Sequence, residues 1–221
     1  MTDSLEEMNI NTPLRVLTLD GGGMRGVYTA AYLHSLLDHF ATERRVDGLD
    51  LGAGFDLIVG TSTGAILACA AARGIAMSEV VDLYRKNGPK IFPQRLQTDI
   101  RVIPQFFTRS RNLKKGANAL RSALEDVLQD ETFGSIYERR NIALSIPAVE
   151  MSQERSWVYK TKHLGGVRDE KTSLVDACMA SSAAPIFRSL ASVKSQDGMG
   201  GHQVFADGGL WANNPALVGL L

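Results

Sequence analysis

The sequence predicts an α/β fold in which a central, mostly parallel sheet lies between helices on both faces. Short apolar strands alternate with helix-like stretches along the chain, as in sheets whose parallel strands are joined by crossover helices. Two of these strands end in glycine-rich turns that lead directly into a helix. Because such sheets place their sites at the carboxyl ends of strands, we expect the functional residues at that edge.

The elements follow one another without an internal repeat or a linker. Ser78 is a favourable N-cap for one helix, which we expect to end at Asn87 because Gly88-Pro89 follows. The 221 residues, 44% of them hydrophobic, are enough for a single domain, 1–221, with a sizeable core. The other predicted elements are strands at 14–20, 55–61, 141–150, 157–162 and 203–207, and helices at 26–40, 63–73, 117–129 and 173–183.

Ser62 lies in a sequence typical of a nucleophile elbow. The strand-like run 55–59 leads into Gly60-Thr61-Ser62-Thr63-Gly64, and an apolar helix follows. In so sharp a turn, β-carbons on either side of the serine would clash, which explains Gly60 and Gly64. The serine hydroxyl would then lie at the positive end of the helix dipole. The alternative is an ordinary strand-to-helix turn with an incidental serine.

A second turn, Asp20-Gly21-Gly22-Gly23-Met24-Arg25-Gly26, joins the first predicted strand to the first helix. Consecutive glycines allow backbone N–H groups to point into one concavity, and the start of a helix adds further donors. Such a nest suits an anion, either a bound phosphate or an oxyanion that forms in a transition state.

The same glycines support an alternative function. Gly21, Gly23 and Gly26 match the G-x-G-x-x-G fingerprint of a nucleotide-binding module. That fingerprint also needs an acidic residue about 20 positions further on, at the end of a second strand. Glu43 and Asp47 have the spacing, but the region around them is charged and has no strand pattern. A hydrolase and a nucleotide-binding module are therefore the two function classes to be separated.

Asp207 is the candidate base for Ser62, because it ends a short apolar strand and precedes a glycine turn. An α/β-hydrolase triad runs Ser, Asp, His in chain order, but no histidine follows Asp207. The economical prediction is a Ser62/Asp207 dyad. We expect two of the four histidines on a helix face, one at the surface, and the last as a weaker candidate beside Asp207: His34, His39, His163 and His202.

In order and context, these motifs resemble those of patatin-like phospholipases. The block at 177–187 and the run at 212–215 are similar to that family too, so the resemblance extends over most of the chain. It implies a three-layer patatin-like fold and hydrolysis of lipid acyl esters without a cofactor. Ser62 would be the nucleophile and Asp207 its partner. The resemblance assigns the oxyanion hole to Gly21, Gly22, Gly23 and Arg25.

Within the family, the string at 17–26 is most similar to bacterial members. Some of those are phospholipase effectors that cyclic nucleotides activate in anti-phage defence. The resemblance thus implies a regulated, membrane-degrading enzyme with a cyclic-nucleotide activator, although no nucleotide sensor can be identified in the sequence.

Composition is typical of a cytoplasmic protein. A formal net charge of zero argues against general nucleic-acid binding. Cys69 and Cys178 lie in apolar stretches, so we expect buried, reduced thiols. Residues 1–12 lack the apolar core of a signal peptide, no apolar run reaches the roughly 18 residues that span a bilayer, and metal-ligand spacings are missing.

Helical periodicity fails at about 88–115, which predicts a functional lid or a mobile segment. Basic residues alternate here with phenylalanines, and near an anionic membrane each cation contributes about 1 kcal/mol. The alternative is a solvated loop that the phenylalanines anchor. The candidate contacts for peripheral membrane association are Lys90, Arg95, Arg109, Arg111, Lys114 and Lys115.

The last residues, 216–221, are apolar and follow Pro215, a favourable first residue of a helix. A helix this short would leave its apolar side poorly covered. We therefore expect the domain to be incomplete at its C-terminus, with a regulatory part beyond it.

Overall fold

The computed structural model describes residues 13–91, 105–185, 189–195 and 201–220, with the backbone alone at 105–112. Short 3-10 turns occupy 23–25, 52–54 and 162–164. The helices and strands, in chain order, are β1 (Val16–Leu19), α1 (Gly26–Arg44), β2 (Leu57–Gly60), α2 (Thr63–Arg73), α3 (Met77–Ile91), α4 (Gln105–Leu128), α5 (Phe133–Arg140), β3 (Ala143–Glu150), β4 (Arg155–Lys160), α6 (Leu174–Ser181), β5 (Ala191–Lys194), β6 (His202–Asp207) and α7 (Gly209–Ala212).

The central sheet has the strand order β1-β2-β3-β6-β5, and β4 also pairs with β3. The α/β class is thus confirmed. Strands β1, β2 and β3 are parallel, whereas β4, β5 and β6 join the sheet through antiparallel pairings. The short turn 151–154 between β3 and β4 explains one of these, because a parallel pair needs a much longer crossover.

Strands β2 and β6 meet end to end along one edge of β3. Strand β2 pairs with residues 143–145 of β3, and β6 pairs with residues 148–150. Strand β4 pairs with 145–150, so it occupies the opposite edge. Because β2 runs parallel and β6 antiparallel to β3, their carboxyl ends point toward each other and meet beside Pro147. This convergence brings the end of β6 to the turn that follows β2.

The main core lies on one face of the sheet, with α2 at its centre. Ten of the eleven residues of α2 are buried, and α1, α3, α4 and α6 pack around it. Cys69 of α2 and Cys178 of α6 are both buried and free, as expected. A hydrogen bond with Cys69, together with burial, raises the pKa of the Cys178 thiol. A smaller cluster on the other face joins Leu57 and Val59 to the residues Tyr137, Ala143 and Val218.

Helix α3 does not end at Asn87 as predicted; it continues through Pro89 to Ile91. Proline inside a helix removes one hydrogen bond and costs about 3 kcal/mol or more. Burial of Ile91, which is 1% exposed, and packing of Gly116 against its carbonyl oppose that cost. Of the predicted lid at 88–115, residues 88–91 and 105–115 are helical, and 92–104 lie outside the described residues.

Three elements were not predicted from the sequence: α5, β5 and the four-residue α7. Helix α5 begins at a capping box in which the Ser135 N–H donates to Thr132 Oγ1 (3.1 Å) and the Thr132 N–H donates to Ser135 Oγ (2.9 Å). The usual capping box has Glu or Gln at the third helical position, where this helix has Ser135, so its start does not match the usual sequence signature. Strand β5 has only four residues, although its alternating burial is the pattern of a half-buried strand.

Candidate active site

Ser62 occupies a strained position between β2 and α2. Its backbone has φ 56° and ψ −120°, a region that costs a non-glycine residue about 1–3 kcal/mol. A β-carbon on Gly60 would lie 2.2 Å from the carbonyl oxygen of Gly64, and one on Gly64 would lie 2.1 Å from that of Leu19. Glycine is therefore required at both positions, for the steric reason that the elbow motif predicts.

Asp207 lies beside this serine. The Ser62 hydroxyl donates to Asp207 Oδ2 over 2.8 Å, and the other carboxylate oxygen accepts the Gly209 N–H over 2.7 Å. The two residues are 8% and 7% exposed. A carboxylate held this way meets the distance that a general base needs for removal of the serine proton.

The end of α6 holds the backbone around both residues. The Ser62 N–H donates to Ser181 Oγ over 2.9 Å, and the Asp207 N–H donates to the Ala183 carbonyl over 3.0 Å. In the sequence, this block stands out only through its resemblance to a family, and no role is predicted for Ser181. No local pattern could have found the contact, since Ser62 and Ser181 are 119 residues apart.

The three glycines of the nest differ in their hydrogen bonds. The Gly21 N–H donates to the Asn213 carbonyl (2.9 Å), and the Gly22 N–H donates to Thr63 Oγ1 (3.1 Å). Gly23 has a left-handed φ of 55°, and within the described parts of the chain its N–H has no such acceptor. An open cavity of about 320 Å³ adjoins the nest and is lined by Asp20, Gly21, Gly22, Arg25, Gly26, Thr29 and Asn213.

A larger depression, of about 520 Å³, lies at the opposite end of β1, where Pro13, Leu14, Arg15 and Asp56 line it. It is remote from the elbow, because the site residues follow the carboxyl ends of the strands. The smaller cavity is therefore the one that adjoins the glycine nest beside the elbow.

The histidines lie away from the Ser62–Asp207 pair. His202 begins β6, five residues before Asp207, which separates the two by about 17 Å of extended strand. His34 and His39 lie on α1, each 3.4–3.5 Å from the carboxylate one turn further on. His163 is half-buried, with its Nδ1 2.6 Å from Thr161 Oγ1.

The acidic residues of the nucleotide-binding alternative are also remote. Glu43 is 17 residues beyond Gly26 on α1, about 25 Å along the helix, and Asp47 lies beyond the helix end. The strand next to β1 is β2, and the elbow serine rather than an acidic residue follows it. The fingerprint thus lacks its ribose-binding partner at the nest.

Three of the predicted membrane contacts gather at one place. Lys90, Lys114 and Lys115 are exposed, and Gly116 packs against the backbone of Lys90 and Ile91. The Met24 side chain, next to the nest, contacts Gly88 of the same α3 end. Arg109 and Arg111 belong to α4 but their side chains are not described, and Arg95 lies outside the described residues.

Neither a bilayer-spanning helix nor a metal centre is present among the described residues. No helix there combines the length and the apolar character needed to cross a bilayer. In the same residues, histidine, cysteine and acidic side chains form no group of three that could hold a metal ion.

The strained elbow serine donates a hydrogen bond to a buried aspartate and lies beside a glycine nest. This arrangement is that of a candidate serine hydrolase. The family model of patatin-like phospholipases matches residues 17–220, so the chain belongs to that family. This confirms the family that the motifs had indicated.

The curated relatives include bacterial phospholipases. The chain is 33% identical over its whole length to a cGAMP-activated phospholipase of Vibrio cholerae, and 35% identical over 93% of its length to one of Pseudomonas aeruginosa. It is 30% identical over 98% of its length to a cUMP-AMP-activated phospholipase of Escherichia coli. The chain spans 55–61% of the length of these relatives.

Proposed function

We propose that this chain is a serine acyl hydrolase that cleaves the fatty-acyl ester bonds of phospholipids through Ser62 and Asp207. The observation that supports it most directly is the 2.8 Å hydrogen bond from Ser62 Oγ to Asp207 Oδ2 within a strained elbow. Membership of the patatin-like phospholipase family supports the same reaction class and substrate.

In the proposed reaction, Ser62 Oγ attacks the ester carbonyl carbon while Asp207 takes the hydroxyl proton. The tetrahedral intermediate collapses, the C–O bond to the alcohol breaks, and the alcohol leaves with that proton. Water then attacks the acyl-enzyme, again losing its proton to Asp207, and the fatty acid is released as Ser62 regains a proton. The hydrogen bond from the Gly209 N–H keeps the carboxylate aimed at the serine.

The glycine nest supplies the oxyanion hole in this proposal. Preorganised backbone donors stabilise the charge that develops on the carbonyl oxygen, and loss of one donor typically costs 10²- to 10³-fold in rate. The N–H groups of Gly21 and Gly22 already have protein acceptors, so Gly23 is the most available donor. Arg25 lines the adjoining cavity and adds positive charge there.

We further infer that the enzyme works at an anionic membrane surface. Lys90, Lys114 and Lys115 are exposed near α3, whose end the Met24 side chain connects to the nest. Three such cations would together contribute about 3 kcal/mol of attraction to the surface, which supports membrane association but does not anchor the protein by itself. The names of the bacterial relatives support a cyclic-nucleotide activator for the protein to which this chain belongs.

A fluorophosphonate probe tests the proposal, because only an activated serine reacts with it. We expect covalent labelling of the wild-type chain at Ser62 and none of Ser62→Ala. Ser182→Ala is the matched control, since Ser182 is a buried serine whose hydroxyl donates within α6, and it should label normally. Absence of labelling in the folded wild-type chain would overturn the proposal. So would tight binding of a dinucleotide, if substitution of Gly21 or Gly23 weakens that binding.

A further inference from the structure

Ser181 makes two hydrogen bonds from the interior of the protein. It ends α6 and is fully buried, with 0% of its surface exposed. Its hydroxyl donates to the Pro147 carbonyl over 2.6 Å and accepts the Ser62 N–H over 2.9 Å. A hydroxyl has a single proton, so donation to Pro147 leaves only lone pairs to face Ser62. The direction of both hydrogen bonds is therefore determined.

The Pro147 carbonyl, which accepts the hydrogen bond of this hydroxyl, belongs to the central sheet. Pro147 lies between the part of β3 that pairs with β2 and the part that pairs with β6. A β-carbon on Gly208 would lie 2.3 Å from the same carbonyl oxygen, so the backbone after Asp207 passes directly over it. Ser181 thus connects the middle of the sheet to the turn that presents the nucleophile.

The same segment also holds the base. The Ser181 carbonyl accepts the Gly208 N–H over 3.1 Å, and the Ala183 carbonyl accepts the Asp207 N–H over 3.0 Å. Two residues of one segment, Ser181 and Ala183, therefore bond the backbone on both sides of the Ser62–Asp207 contact. They determine the separation of two residues that lie 145 positions apart in the chain.

We propose that Ser181 is a positioning residue of the Ser62–Asp207 pair, whose hydroxyl holds the strained elbow in the geometry that places Ser62 Oγ against Asp207. The proposal depends on the proposed hydrolase function. Ser181 acts through the Ser62 backbone, because its complete burial keeps it away from substrate. Without the hydroxyl, the Ser62 N–H loses its acceptor. The strained backbone at φ 56° would then relax toward a more favourable conformation.

The test measures acylation in Ser181→Ala, using the rate of fluorophosphonate labelling and the steady-state turnover of a soluble short-chain ester. We expect both the labelling rate and the kcat/KM for the ester to fall roughly 10- to 100-fold, since misplacement of a reacting group by about 1 Å can cost 10²-fold. In this two-step reaction kcat/KM reports acylation, so it should fall by the same factor as the labelling rate whichever step limits kcat. Active-site titration of the folded fraction separates this effect from loss of folded protein.

Ser182→Ala is the matched control, because Ser182 is also a buried serine and donates to the Cys178 carbonyl over 2.7 Å without touching the elbow. It should acylate at the wild-type rate even where its melting temperature falls as much as that of Ser181→Ala. If Ser181→Ala does not fold, Ser181→Cys preserves the volume with a weaker hydrogen-bonding group and should show the same slow acylation.

A folded Ser181→Ala, or in its place Ser181→Cys, that labels at the wild-type rate would overturn the positioning role. An unchanged kcat/KM for the soluble ester would do so as well. Failure of the proposed hydrolase function gives a different result, because the wild-type chain itself would then not label.

Discussion

Gly64 packs directly against the carbonyl oxygen of Leu19, and a β-carbon at position 64 would lie 2.1 Å from that oxygen. Leu19 ends β1 and leads into the glycine nest, whereas Gly64 is in the first turn of α2, two residues after Ser62. The Thr61 N–H donates to the same Leu19 carbonyl over 3.1 Å. The nest and the elbow are therefore held together by backbone contact.

Gly64→Ala should destabilise the protein and abolish activity together. The added methyl group overlaps backbone oxygens that cannot rotate away, and overpacking of this kind typically costs about 1–3 kcal/mol or more. Gly48→Ala is the control, because a β-carbon there meets nothing within 4 Å. Thermal unfolding followed by circular dichroism compares the two variants. Equal melting temperatures would contradict the close packing of Gly64.

Asp207→Asn should lower ester turnover by roughly 10²- to 10⁴-fold, the usual contribution of a general base, while the fold survives. His202→Ala should stay within about twofold of the wild type, because His202 lies at the far end of β6. Initial rates on a soluble ester measure both. The dyad assignment fails if Asp207→Asn retains normal turnover and His202→Ala does not.

Gly23→Ala should lose activity out of proportion to stability. Gly23 (φ 55°) and Gly165 (φ 80°) are both left-handed, and a β-carbon at either position meets nothing within 4 Å. Each substitution should therefore cost a similar free energy of unfolding, about 1–2 kcal/mol. Only Gly23→Ala should reduce kcat, by up to 10²- to 10³-fold if its N–H leaves the oxyanion hole. Matched losses of kcat in both variants would argue against that role.

The double reversal Lys114→Glu and Lys115→Glu should weaken binding to anionic phospholipid vesicles and leave turnover of a soluble ester unchanged. Attraction to the surface is screened beyond about 10 Å at 0.1 M salt, so high salt should mimic the variant. The double reversal at Lys171 and Lys194 is the control, because both lysines are exposed and the change in net charge is the same. Vesicle co-sedimentation measures binding. Equal binding of the two double variants would exclude a specific role for the α4 lysines.

Acidification should destabilise the protein in part through His163. Burial, with a smaller effect of Lys160, lowers the pKa of His163 below its ordinary value. The unfolded chain then takes up a proton at a higher pH than the folded chain, so stability falls as the pH drops below about 6.5. His163→Gln should flatten the dependence of the denaturation midpoint on pH between about 7 and 5.

Local sequence was enough to predict the elements that present the candidate site. The bounds predicted for α2, 63–73, match the helix, because glycine flanks the serine on one side and Gly74 ends the helix on the other. Strand β6 and the long strand β3 were predicted within a few residues of their ends for a similar reason, since their apolar runs stop at turn residues.

Where packing opposes local preference, prediction from the sequence failed. Pro89 was expected to mark a helix end, yet α3 continues to Ile91, whose side chain is buried and whose carbonyl packs against Gly116 of α4. The backbone of α4 likewise begins at Gln105, within a stretch where no helical periodicity was visible. The helix-breaking tendency of a residue is a local property. It therefore cannot predict a helix that is stabilised by burial against a distant element.

The sequence by itself determined which residues could do the chemistry: a serine between two obligatory glycines, an aspartate on a glycine turn, and a run of glycines before a helix. Each of these is a local backbone requirement, and such a requirement can be recognised from a few neighbouring residues of the sequence. Only the tertiary structure decided that Ser62 and Asp207 meet. Their contact depends on two strands that converge on one edge of β3 from opposite directions, and on Ser181, which is 119 residues from the nucleophile whose N–H it accepts. Strand pairing of this kind is a long-range property, because its free energy comes from burial and hydrogen bonds between segments that no local pattern connects.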